Sequence, residues 1–201
     1  MRLLLILVMA VGLASSARAA DPRNPDWPCV QVKVPELSVA AMWAGPPIDD
    51  VGRTWEDDPK VKDLVARLAA RRLPLEEAQR SAADFLAGSG DAKQAQGKLL
   101  FAGLFATLDR LRSEVITGIE RYTRRQREFA EKVRAETLKL REMNDTPNAD
   151  QKQVEDLAER VEWDTRIFEE RRRTINYVCE VPVLIEQRLF ALGRTIQQAI
   201  E

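Results

Sequence analysis

From Asp58 onward the apolar residues fall at helical spacing in four successive runs. Val61, Leu64, Val65, Leu68 and Ala69 follow Asp58-Pro59, a capping carboxylate and a proline at the first helical position, and predict a helix over about 59–72. Pro74 opens a second, over about 74–87, whose apolar face is Leu75, Ala78, Ala82, Phe85 and Leu86. Gly88-Ser89-Gly90 closes it, and Asp91 with Gln94 three places on reads as a capping box for a third helix. That helix meets no stop signal until Asn144-Asp145-Thr146-Pro147, which sets it at about 91–143, and a fourth then spans about 147–200.

Both long runs carry a seam in alternating steps of three and four. On the third helix it reads Leu108, Leu111, Val115, Ile119, Tyr122, Gln126, Phe129, Val133, Glu136, Leu140 and Met143. On the fourth it runs Val154, Leu157, Val161, Asp164, Phe168, Arg171, Ile175, Val178, Pro182, Ile185, Leu189, Leu192 and Ile196. Two such stripes joined by a tight polar turn predict an antiparallel coiled-coil hairpin, each arm about 75–80 Å long at 1.5 Å per residue. Folding at the turn makes facing residue numbers sum to about 293, so Tyr122 faces Arg171 and Phe129 lies near Asp164. Pro182 predicts a kink or short restart rather than an end, because the seam resumes in phase at Ile185. Leu99 to Phe105 is apolar all round, which implies burial by more than one neighbour. The expected architecture is therefore all-α, a long hairpin on a small helical-bundle base formed within residues 59–201.

Residues 20–58 behave differently. Seven of the ten prolines lie between Pro22 and Pro59, with Trp27, Trp43 and Trp55. Proline at that density forbids a long helix, and the indoles need an apolar surface, so the segment reads as an extended wrap over the helices. A helical turn or two between Glu36 and Trp43 is compatible with it, while Val30-Gln31-Val32-Lys33-Val34 alternates like a strand with no partner strand anywhere in the chain. Upstream, Arg2, the apolar run Leu3 to Ala14 and the small residues through Ala17-Arg18-Ala19 read as a secretory signal peptide over residues 1–19. An apolar run of about twelve residues is too short to span a bilayer, which needs about 20. The expected location is secreted and soluble, in a bacterial periplasm.

That location changes the meaning of Cys29 and Cys179, the only two thiols. In an oxidising compartment an even count predicts a bond, here enclosing about 150 residues and worth about 5 kcal/mol on the chain-entropy model. It would tie the wrap to the last helix.

Composition narrows the chemistry. The chain has 201 residues, 31 Lys+Arg against 32 Asp+Glu and no histidine. Without histidine there is no Ser-His-Asp or Cys-His nucleophile, no Glu-x-x-His metal centre and no common zinc or copper site. The absence of a basic excess argues against nucleic acid. The Asn144 to Glu155 stretch only faintly suggests a calcium loop, lacking the sixth-position glycine and carrying Lys152 at a ligand position. No phosphate loop or nucleophile elbow occurs. No catalytic residue, metal or cofactor is assigned.

What remains are candidate contact residues. Met143, Asn144 and Asp145 form the tip. Arg121, Arg124 and Arg125 face Arg172 and Arg173 across the hairpin, and together they read as a basic collar, diluted by Glu128, Glu169 and Glu170. From Arg110 to Glu142 ten basic residues meet six acidic ones, and from Asp145 to Glu170 three meet nine, a contrast that also serves arm-to-arm attraction. Asp164 and Arg171 interrupt the seam, either fixing its register by contacts with groups such as Gln126 and Glu128 or softening it for a partner helix. The expected function is a non-catalytic exported interaction or scaffold module for another envelope protein. Alternatives are a periplasmic holdase, for which homo-oligomers are an expectation, and membrane-surface binding through the collar. The shape resembles the hairpins of periplasmic efflux adaptors and of helical-tentacle chaperones in architecture alone; no motif assigns the chain to either family.

Overall fold

The computed structural model describes residues 23–201, and the signal-peptide reading lies outside them. The protein is all-α, with five helices and no strand among the described residues: α1 Val39–Met42, α2 Pro59–Ala69, α3 Leu75–Ala87, α4 Lys93–Asp145 and α5 Gln151–Ile200. Short 3-10 turns at Thr54–Glu56 and Gly90–Ala92 link them.

The helix boundaries follow from local chemistry. The Asp58 carboxylate accepts from the backbone amides of Lys60 (2.9 Å) and Val61 (3.2 Å) with Pro59 behind it, so α2 starts as its sequence predicts. It stops at Ala69 rather than Arg72. Ala70 is already extended, and the guanidinium of Arg188 donates to the carbonyl of Leu68 (2.7 Å), replacing the donor that another helical turn would have given, and to that of Leu73 in the loop beyond (3.0 Å). The Asp91 capping box does not form: Gly90 takes a positive φ of 51°, Asp91 is drawn into the 3-10 turn, and α4 begins at Lys93 with no side-chain cap.

At the far end α4 runs on to Asp145. Pro147 does not start α5; the turn continues through Asn148, whose φ of 62° suits an asparagine, and Asp150 caps the helix through the amides of Lys152 and Gln153. Pro182 neither ends nor restarts α5, which is one element through it. Pro182 has no N–H to give the carbonyl of Val178 four residues back, and the side-chain amide of Gln31 donates to the next carbonyl, that of Cys179.

Helices α4 and α5 lie side by side and antiparallel: Tyr122 reaches the carbonyl of Arg171, Lys132 reaches Asp164, and Arg112 reaches Glu186. At the base they are covered by α2 and α3. Phe101, Leu104, Leu108, Leu189, Leu192 and Ile196 are fully enclosed with Val61, Leu68, Ala82 and Leu86. Trp43 stacks on Phe101 with ring centroids 4.3 Å apart. Gly193 lets α1 approach, since a Cβ there would sit 2.8 Å from the carbonyl oxygen of Met42. A smaller cluster of Trp27, Ile116 and Ile119, with Val115 and Ile175, sits above. Beyond it α4 continues for some 26 residues, about 40 Å; Pro25 and Asp26 reach it as far as Arg127, and past that only α5 lies beside it among the described residues.

Candidate functional site

The densest set of long-range polar contacts gathers where the N-terminal segment crosses the helices. Cys29 and Cys179 are bonded, with a Cα–Cα distance of 5.5 Å. Around them several polar groups fix the segment. Trp27 donates its indole N–H to the carbonyl of Gln31 (2.7 Å), Lys33 pairs with Glu120 (2.5 Å), and the Leu37 amide donates to Asp109 (3.4 Å).

Arg112 is the centre of this junction. Only 2% exposed, it pairs with Glu186 (2.5 Å) and donates to the carbonyls of Val34 (2.6 Å) and Pro35 (3.4 Å). One guanidinium thus bridges α4, α5 and a stretch of backbone that has no secondary structure of its own. A buried arginine with these partners satisfied holds position strongly, because removing it would strand both a carboxylate and two carbonyls. Sequence reasoning did not single out Arg112 or Arg188. The available signal was a lone arginine on an apolar stripe, Arg112 between Leu108 and Ile116 and Arg188 between Ile185 and Leu192. Arg188 faces no carboxylate among the described residues, and burial pushes its pKa down.

The collar divides into used and unused arginines. Arg124 (2.7 Å) and Arg127 both bind Asp26, and Arg127 also donates to the Pro25 carbonyl at 3.4 Å. The hydrogen bond from Arg124, aided by the charges of both arginines, holds the Asp26 carboxyl below its ordinary value. Arg172 pairs with Glu169 (3.1 Å). Arg121, Arg125 and Arg173 are exposed and form no ion pair among the described residues.

On the seam, Asp164 is buried and takes a hydrogen bond from Lys132 at 2.8 Å, which raises the lysine pKa. Arg171 is exposed, its guanidinium 5.2 Å from the Phe129 ring centroid. Neither forms a hydrogen bond or ion pair with Gln126 or Glu128 among the described residues; Asp164 pairs with Lys132, and Arg171 lies over Phe129. The seam retains buried oxygens without a partner among the described residues, Oε1 of Gln126 and Oε2 of Glu136. Burial raises the pKa of Tyr122, partly opposed by Arg171. At the tip Asn144 and Asp145 are exposed and Met143 is half-buried.

No helix among the described residues is long and apolar enough to cross a membrane. A cleft of about 980 Å³ opens between Thr54 and the end of α3, and its Asp58 is already engaged in capping α2. No family model matches the chain, and no curated protein or solved structure matches it either.

Proposed function

We propose that the protein is an exported, non-catalytic interaction module: a disulfide-clamped helical base presenting a coiled-coil hairpin, wrapped at its foot by the N-terminal segment, whose arm or tip contacts another envelope protein. One observation carries this reading. The arm extends about 40 Å past the last buried cluster while its seam is mostly half-buried, with only Leu157 and Asp164 buried, and includes the polar residues Gln126, Glu136 and Asp164, so it adds reach and little stability. The Cys29–Cys179 bond suits an oxidising compartment. Photo-crosslinkers at positions 143–150 should recover one defined partner from the envelope, and a chain lacking residues 130–160 should lose it while keeping the fold of the base. Retention of that complex by the deleted chain would refute the proposal.

A second reading rests on Arg121, Arg125 and Arg173, exposed and without an ion pair among the described residues, which suit anionic lipid headgroups. Binding to anionic vesicles that falls with salt and with charge reversal at these three positions supports it; absence of cosedimentation at low salt removes it.

A further inference from the structure

Helix α5 carries a second seam, distinct from the one that faces α4. Trp163, Ile167, Glu170, Thr174, Tyr177, Val181 and Leu184 follow one another in steps of four and three. Five of the seven are apolar, and three of those stand open to solvent: Trp163 is 58% exposed, Tyr177 74% and Leu184 53%. Large apolar side chains repeated at heptad spacing on one exposed face are not scattered surface residues.

The same face is already an interface lower down. Continued in the same steps from Leu184, it passes through Arg188, Ala191 and Thr195. Arg188 binds the carbonyls of Leu68 and Leu73, and Thr195 accepts from Gln79 at 3.0 Å, so here the face is covered by the α2–α3 hairpin. Above Leu184 no described element lies on it. Next to Leu184 in sequence, Ile185 joins Ala69, Leu108, Leu111 and Val115 in walling a notch of about 260 Å³ whose charged lining is Arg71 and Glu114.

We propose that this stretch of α5, from Trp163 to Leu184, is the seat of a single helix from a partner protein, with an apolar stripe at three-four spacing flanked by acidic residues. The span of 21 residues is about 32 Å, some six helical turns. The choice of acidic flanks follows from charge: among the exposed charges of this face with no ion pair among the described residues, Arg71, Arg72 and Arg173 outnumber Glu170 and Glu180, and Arg166 is already bridged to Glu162 at 2.9 Å. A second copy of this chain is the poorer occupant. Laid antiparallel it would bring its own tip onto the α2–α3 hairpin that occupies the lower part of the face, and laid parallel it would set two such hairpins against each other. The inference rests on the reading of the chain as a docking protein and places the contact on the side of the arm, not at its tip.

The probe is a tryptophan-free synthetic helix of about 22 residues, with leucines at three-four spacing, glutamates on both flanks and alanine elsewhere; its control has lysine for each glutamate. Titrated into the full chain at low salt, the acidic peptide should bind and shift the emission of Trp163, the most exposed indole, while the basic peptide should not. The double variant Tyr177→Ser/Leu184→Ser, both at exposed positions and checked for helicity, should weaken binding by about tenfold or more. Arg71→Glu/Arg173→Glu should reverse the preference between the peptides. Equal binding of both peptides, or undiminished binding to the Tyr177→Ser/Leu184→Ser variant, overturns the proposal. So does a dimer in sedimentation that the same variant abolishes, which would assign the stripe to a second copy. If an envelope partner is lost on removing residues 143–150 but kept by the Tyr177→Ser/Leu184→Ser variant, the side-on seat fails and the docking reading survives.

Discussion

The two halves of α4 are one continuous helix with one apolar spacing, yet they differ in kind. In the base, Leu100, Phe101, Leu104 and Leu108 are fully buried because α2, α3 and α5 together surround them. In the arm, Phe129, Val133 and Leu140 occupy equivalent seam positions and are only half-buried, since α5 is their sole neighbour. Spacing therefore sets which side of a helix is apolar, and the number of neighbours sets how much that side contributes. Burial is concentrated in the base, and the arm carries polar seam residues that a closed core would not tolerate.

Phe101 against Phe129 tests this contrast most severely. Phe101→Ala removes a stacked, fully enclosed ring and should cost about 3–5 kcal/mol in urea unfolding. Phe129→Ala should cost about 1 kcal/mol, in proportion to its smaller buried area. Equal losses would erase the distinction between base and arm.

The next effect belongs to the clamp. Replacing Cys29 and Cys179 by serine opens a loop of 150 residues and should lower stability by about 2–4 kcal/mol. Amides of residues 27–37 should exchange faster, with those of α2 and α3 little changed at the native state. An unchanged midpoint would mean that Arg112 and Lys33 hold the segment without the bond.

A smaller change of opposite sign is expected on the seam. Asp164→Leu removes a buried carboxylate whose partner, Lys132, is half exposed and can return to water, so the arm should gain about 1 kcal/mol. A loss instead would show that the Asp164–Lys132 pair holds the register, which helix-to-helix crosslinks near residues 132 and 164 would report directly.

The parts of this molecule that sequence made legible are those written in local pattern. The Asp58-Pro59 start and the pairing of two lone cysteines depend on neighbours in the chain or on arithmetic. What stayed hidden depends on groups far away in sequence. Arg112 is defined by the carbonyls of Val34 and Pro35, and Arg188 by those of Leu68 and Leu73, none of which carries a side-chain signature. The Asp91 box was misleading because Gly90, free to adopt a positive φ, allowed a 3-10 turn to form first. Among the candidate contact residues, Arg124 looked available in the sequence and is occupied by Asp26, while Arg121, Arg125 and Arg173 remain open.

The least effect expected comes from that same Asp26. Its carboxyl sits below its ordinary value of 3.8 because Arg124 donates to it and Arg127 adds its charge. A carboxylate with a lowered folded value favours the folded arrangement at any pH above 3.8, and that preference disappears as pH falls from 3.8 through the folded value. Both arginines are about half exposed, so the contribution to global stability is small and falls further with salt. The local consequence is measurable all the same. Amide exchange of residues 24–28, compared between pH 5 and pH 2.5 after correction for the intrinsic rate, should show the segment loosening over α4 in acid while the bonded Cys29 keeps the rest in place. Asp26→Asn should show the looser state at both pH values; an unaltered acid response in that variant would assign the titration to another group.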